Sequence, residues 1–209
     1  MLLSRVRFAT LVGAGLVATA STASAHHLMG GKTPSTFAAG ILSGLGHPII
    51  GPDHLAFLIA LGIAVGVGRL SLMTPFLFLL AMACGVAAHV AAVNIPAAEL
   101  IVAVSVLTAG VLIALDWSIP SGAWAALFSF AGFFHGYAYG ESIYGAEPTP
   151  LAAYLVGLVA VQTVLVVGIA LASRAIWTAS RIGPRLAGAA ICGVGFTCLL
   201  YTSPSPRDS

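Results

Sequence analysis

Gly46-His47-Pro48-Ile49-Ile50-Gly51-Pro52-Asp53-His54 sets two imidazoles, a carboxylate and two prolines beside a long apolar run. The surrounding chain is 59% hydrophobic and 7% charged, with a mean hydropathy of +1.06. A soluble domain would carry a charged fraction nearer ~25%. The composition therefore reads as an all-α integral membrane protein whose partner along most of its surface is the lipid bilayer. A net charge of +2 with no Lys/Arg cluster offers no face for nucleic acid. Cys84 and Cys192 lie in apolar runs, and no CxxC site or disulfide framework is present.

The two ends read differently from the middle. Residues 1–25 have the pattern of a cleaved signal peptide: Arg5 and Arg7, an apolar stretch from Phe8, then Ala23-Ser24-Ala25. Cleavage there leaves His26 as an extracytoplasmic N-terminus. At the other end, residues 198–209 read as an in-frame translation of a transposon-end adapter of the kind used in sequencing libraries. That leaves 26–197 as the polytopic membrane domain, and nothing functional is drawn from the tail.

Apolar runs of about 20 residues span a hydrocarbon core of about 30 Å. The ruler gives six transmembrane helices, at about 47–68, 72–93, 96–115, 120–140, 150–173 and 184–201. Pro96, Pro120, Pro150 and Pro184 are expected in first helical turns, where a missing N–H costs little. Residues 35–45 are apolar but only about eleven long, too short to cross, so a short interfacial or re-entrant segment is expected before the first span. Arg69 follows the first span, and Arg174, Arg181 and Arg185 follow the fifth, which places those loops in the cytoplasm. Trp117, Trp124 and Trp177 then fall at the cytoplasmic interface. The expected location is a bacterial inner membrane, crossed many times.

Ionisable side chains inside a span are costly and mark function. In this frame His47, Asp53, His54, His89, Glu99, His135 and Glu141 all fall toward the outer side. A helix starting near His47 would place His47, Gly51 and His54 on one face, seven residues being two turns within about 20°. Two neutral imidazoles with a carboxylate suit Ni²⁺, Co²⁺ or Zn²⁺ better than Mg²⁺ or Ca²⁺. His89 taken alone reads first as a hydrogen-bonded packing residue, and His135 as a ligand or relay. Glu141 reads equally as a ligand or a solvated loop acid, and Glu147 as the latter. His26 and His27 at the mature terminus could capture a transition metal outside the membrane.

His47-Pro48-x-x-Gly51-x-Asp53-His54 forms an HPxxGxDH signature, and a histidine directly follows the signal peptide. Pro96-x-x-Glu99 has Ser105 downstream, and His135-Gly-Tyr-Ala-Tyr-Gly-Glu141 is followed by Gly145-Ala-Glu-x-Thr-Pro150. In these features the chain resembles the HupE/UreJ family of bacterial nickel and cobalt permeases, which accompany hydrogenase and urease maturation. The resemblance covers 26–197. It implies that His47, Asp53 and His54 are the metal residues, supported by the N-terminal histidine and His135. Where many members carry a second histidine, this chain has Tyr139.

With no GxxxxGK[ST] loop, direct ATP coupling is not expected. The expectation is a secondary permease, not an enzyme, with no permanently bound cofactor and with Ni²⁺ or Co²⁺ as transported substrate. His89, Glu99 and His135 would relay the ion inward. Two rivals stand beside it: an intramembrane zinc hydrolase built on the same ligands, and a non-transporting metal-sensing or assembly subunit. The ligand types leave nickel against cobalt open, and self-association into a homo-oligomer is open as well.

Overall fold

Glycine followed by proline is a strong local breaker, and at Gly51-Pro52 it cuts the first apolar run in two. Gly51 is extended (φ −72, ψ 109), as a residue before proline prefers, and Pro52 opens the next helix at its first position. The computed structural model describes residues 33–71, 73–178 and 180–202. Among them are seven helices and no strand: α1 (Phe37–Ile50), α2 (Pro52–Val67), α3 (Met73–Val90), α4 (Ala98–Ala114), α5 (Ser121–Glu141), α6 (Pro148–Ile176) and α7 (Ile182–Thr202). The expected signal peptide, His26, His27 and the tail from 203 onward lie outside the described residues.

The single helix expected from His47 is thus corrected. His47 lies near the C-terminal end of α1, His54 near the N-terminal end of α2, and the two helices bend by 76° at Gly51. The stretch expected to be a short interfacial or re-entrant piece is part of a 14-residue helix. Thr36 caps it, its hydroxyl oxygen accepting from the Ala39 N–H at 3.1 Å.

In lipid, apolar burial between helices gains little, and backbones associate where small residues let them approach. Gly40 and Gly44 of α1 lie against the α6 backbone at Pro150 and Tyr154, and Gly62 and Gly66 of α2 lie against it at Val166 and Ala170. These contacts advance together along both chains, so α1 and α2 follow α6 in one direction without doubling back. Helix α3 runs parallel to α5, with Gly132, Gly136 and Gly140 facing Phe78, Met82 and His89. Helix α7 runs antiparallel to α4, with Gly188 facing Ala114 and Gly195 facing Leu107.

By length and apolarity α3, α6 and α7 can each cross a membrane, and the bent α1–α2 pair can act as a fourth crossing; α4 is a shorter apolar helix. Helix α4 starts late because Ala97 is left-handed (φ 61), which leaves Pro96 outside the first turn. Pro120 is the residue before α5, whereas Pro150 and Pro184 lie in first turns. At one end of the bundle Arg174 donates to the carbonyls of Val65 and Leu70, closing the C-terminal end of α2, and Arg185 donates to Ala114 O at the end of α4. The histidine-rich break lies at the opposite end of α2.

Candidate functional site

The break at Gly51 turns two helix ends toward one another and toward α5 and α6. His47, His54 and His135 are 4%, 3% and 1% exposed, so each imidazole must find its partners inside the protein. A Cβ on Gly51 would lie 2.8 Å from His54 Cδ2 and 3.2 Å from Asp53 Oδ1, which is why the hinge residue carries no side chain. Asp53 occupies the first turn of α2, where a carboxylate suits the helix dipole, and its Oδ1 accepts the His54 N–H at 2.8 Å.

The hydrogen bonds determine which ring nitrogens carry protons. Ser105 on α4 donates its hydroxyl proton to Val102 O at 2.7 Å, so its oxygen accepts from His135 Nε2–H at 3.0 Å. Neutral His135 then has a lone pair at Nδ1, which accepts from His54 Nδ1–H at 2.9 Å. A second chain treats His47 alike. Tyr154 donates to Tyr139 O at 3.0 Å and Ser142 gives its one proton to Tyr139 O or to the Tyr154 oxygen, each at 3.1 Å, so His47 Nδ1–H donates to the Tyr154 and Ser142 oxygens at 2.9 and 3.0 Å. Imidazoles that ligate metals are held this way, with the other ring N–H given to a protein acceptor.

The His47 and His54 rings stand 5.7 Å apart, and the Tyr139 ring packs against both, 4.1 Å from His54 and 5.0 Å from His47. Phe57 covers His135 at 4.4 Å. Both His135 ring nitrogens are engaged, which makes its role here the positioning of His54. Among the described residues no three His, Cys, Asp or Glu side chains are grouped to hold a metal ion by themselves. Two imidazole nitrogens can replace part of an ion's water shell and leave the rest in place.

His89, Glu99 and Glu141 lie elsewhere. They line a cleft of about 440 Å³ between the end of α3, the start of α4 and the end of α5, with Tyr137 and Thr202 also in its wall. The His89 ring packs on Tyr137 at 4.6 Å, and its Nδ1 is buried without a hydrogen-bond partner. Glu99 and Glu141 are exposed. The seven described candidates thus divide into a group at the helix break, the buried His47, His54 and His135 with the half-buried Asp53, and the cleft group of His89, Glu99 and Glu141.

Sequence reasoning gave no role to Tyr154 or Ser142. The available signal was polarity: a tyrosine at 154 interrupts an otherwise apolar span.

A family model described as "HupE / UreJ protein" matches residues 14–198. Protein HupE of Rhizobium leguminosarum bv. viciae is 31% identical over 168 residues, covering 78% of this chain and 86% of that protein. No solved structure matches the chain.

Proposed function

Because this chain belongs to the HupE/UreJ family, we propose that it is a secondary, non-ATP permease taking up Ni²⁺ or Co²⁺ across a bacterial inner membrane. What carries the reading is the pair of buried imidazoles at the Gly51 break, their rings 5.7 Å apart and each held through Nδ1 by groups on other helices or loops. Transporters build ion sites at broken helices, where the chain ends and unwound backbone face the substrate. The incoming ion loses part of its hydration to His47 and His54 while Asp53 balances its charge. His135, fixed by Ser105, holds His54 in register.

Six passages fit the helix directions if α1–α2 counts as one: α2, α4 and α6 run toward the Arg174 end, and α3, α5 and α7 run back. That end is the cytoplasmic one by the positive-inside rule, which puts the His47–His54 pair in the outer half. His26 and His27 would meet the ion first on the outer side, and the cleft of His89, Glu99 and Glu141 would serve as a polar approach. Two protein nitrogens hold an ion modestly, as a permease requires, since a site that binds too well cannot release. The protein acts here as a carrier, and no chemical change of a substrate is assigned to it.

The test is uptake of radiolabelled Ni²⁺ and Co²⁺ by cells expressing the chain, beside His47→Ala, Asp53→Asn and His54→Ala at matched membrane abundance. Each variant should lose at least about tenfold in uptake, in line with loss of a ligand or its orientation. Wild-type cells that accumulate neither metal would sink the proposal.

A further inference from the structure

We infer that Gln162 is the ion's next station inward from the His47–His54 pair, an inference that rests on the permease reading. Gln162 is 0% exposed, and neither its Oε1 nor its Nε2 has a hydrogen-bond partner. A buried amide with donor and acceptor both unmet is costly in an apolar interior, and a helix facing lipid offers cheaper residues such as Leu or Val for packing alone. Its retention points to a transient partner.

Its position says which one. The buried face of α6 runs Tyr154, Leu158, Gln162, Val166, Ala170, at helical spacing. Tyr154 accepts from His47 at the start of this row. Gln162 is eight residues on, about 12 Å along the axis, a substantial part of a hydrocarbon core of about 30 Å. Leu158 belongs to the apolar cluster around Tyr139 and Met82, whereas Val166 belongs to the cluster around Phe57, Leu61 and Phe128. Gln162 stands between them, a polar group at the junction of two dry layers. Past it the α6 face meets Gly62 and Gly66 of α2 through Ile169 and the Val166 and Ala170 carbonyls, and its buried residues include no polar side chain until Ser173.

A divalent ion leaving two imidazoles keeps several waters, whose hydrogens seek acceptors. The Oε1 carbonyl oxygen of Gln162 accepts from such a water or ligates the ion directly, both within the N/O chemistry of Ni²⁺ and Co²⁺. Nε2 donates to a second water. The side chain lowers the barrier to crossing the apolar layer by offering Oε1 to the ion or its water, and that oxygen is the atom the passage needs.

The experiment compares wild type, Gln162→Met, which keeps volume but removes both polar atoms, and Gln162→Glu, which keeps the oxygen. Two quantities are measured: Ni²⁺ binding to detergent-purified protein, and the concentration dependence of radiolabelled Ni²⁺ uptake in cells. Gln162→Met should bind Ni²⁺ as wild type does and keep the half-saturating concentration, while its maximal uptake rate falls about tenfold, the scale of one lost polar contact at a barrier. Gln162→Glu should retain uptake. Wild-type uptake by Gln162→Met overturns the inference and leaves the permease reading standing. Both variants failing to reach the membrane also overturns it, since the amide would then be structural. Wild type that binds but does not accumulate Ni²⁺ or Co²⁺ removes the permease reading and this inference together.

Discussion

The hydroxyl of Ser105 has one proton and commits it to Val102 O, and that choice runs through the His135 ring to Nδ1 of His54. Replacing Ser105 with alanine leaves His135 Nε2–H without its acceptor and frees both rings to exchange tautomers. The expected result for Ser105→Ala is a half-saturating Ni²⁺ concentration raised about 10- to 100-fold at unchanged membrane abundance, the usual cost of losing an outer hydrogen bond to a metal-ligating imidazole. Ser105→Thr, which keeps the hydroxyl, should stay near wild type. Equal uptake curves for Ser105→Ala and wild type would show that the relay does not orient His54. His47, Asp53, His54 and His135 were all open to inspection in the sequence as polar residues in apolar surroundings. Their protonation was not, because His47 meets Tyr154 across 107 residues and His54 meets His135 across 81. No local pattern carries a contact of that separation.

Between residue and bundle, the element that matters is the α1–α2 pair. Its bend was legible in Gly51-Pro52, yet apolarity on both sides of the break argues for a continuous span, and a hydropathy ruler does not register a turn of 76°. The pair is held by glycine-lined contact with α6, and Gly44 is the tightest test of it. A Cβ there would collide with the Tyr154 carbonyl, backbone that cannot step aside. Gly44→Val should therefore push α1 off α6, draw Tyr154 away from His47 and lower both membrane abundance and uptake severalfold, whereas Gly168→Val, at a position where an added Cβ meets nothing within 4 Å, should do neither. Immunoblots of membrane fractions beside uptake assays decide it. Equal abundance and uptake for the two variants would remove the packing argument.

Across the whole molecule, the proposed topology makes a prediction that transport assays do not touch. With Cys84, Cys192 and Cys198 replaced by alanine, single cysteines at Ser118→Cys and Tyr144→Cys probe the two ends of α5, both positions being exposed. A membrane-impermeant thiol reagent should label Tyr144→Cys in intact spheroplasts and Ser118→Cys only after permeabilisation. The reverse pattern would invert the orientation and put the histidine pair in the cytoplasmic half. Composition and run length determined that this is a chain of apolar helices, as a membrane protein needs, since a backbone in hydrocarbon must satisfy its own hydrogen bonds and only helices do so within one segment. The motif at Gly46 to His54 likewise marked itself as a candidate site, because ionisable side chains in apolar surroundings are costly. Only the tertiary structure decided that those residues straddle a break, that Ser105, Ser142 and Tyr154 hold the rings, and that His89, Glu99 and Glu141 line a separate cleft. The physical reason is that ring orientation depends on acceptors brought in by other helices, and helix packing in lipid is decided by close backbone contacts whose partners are distant in sequence.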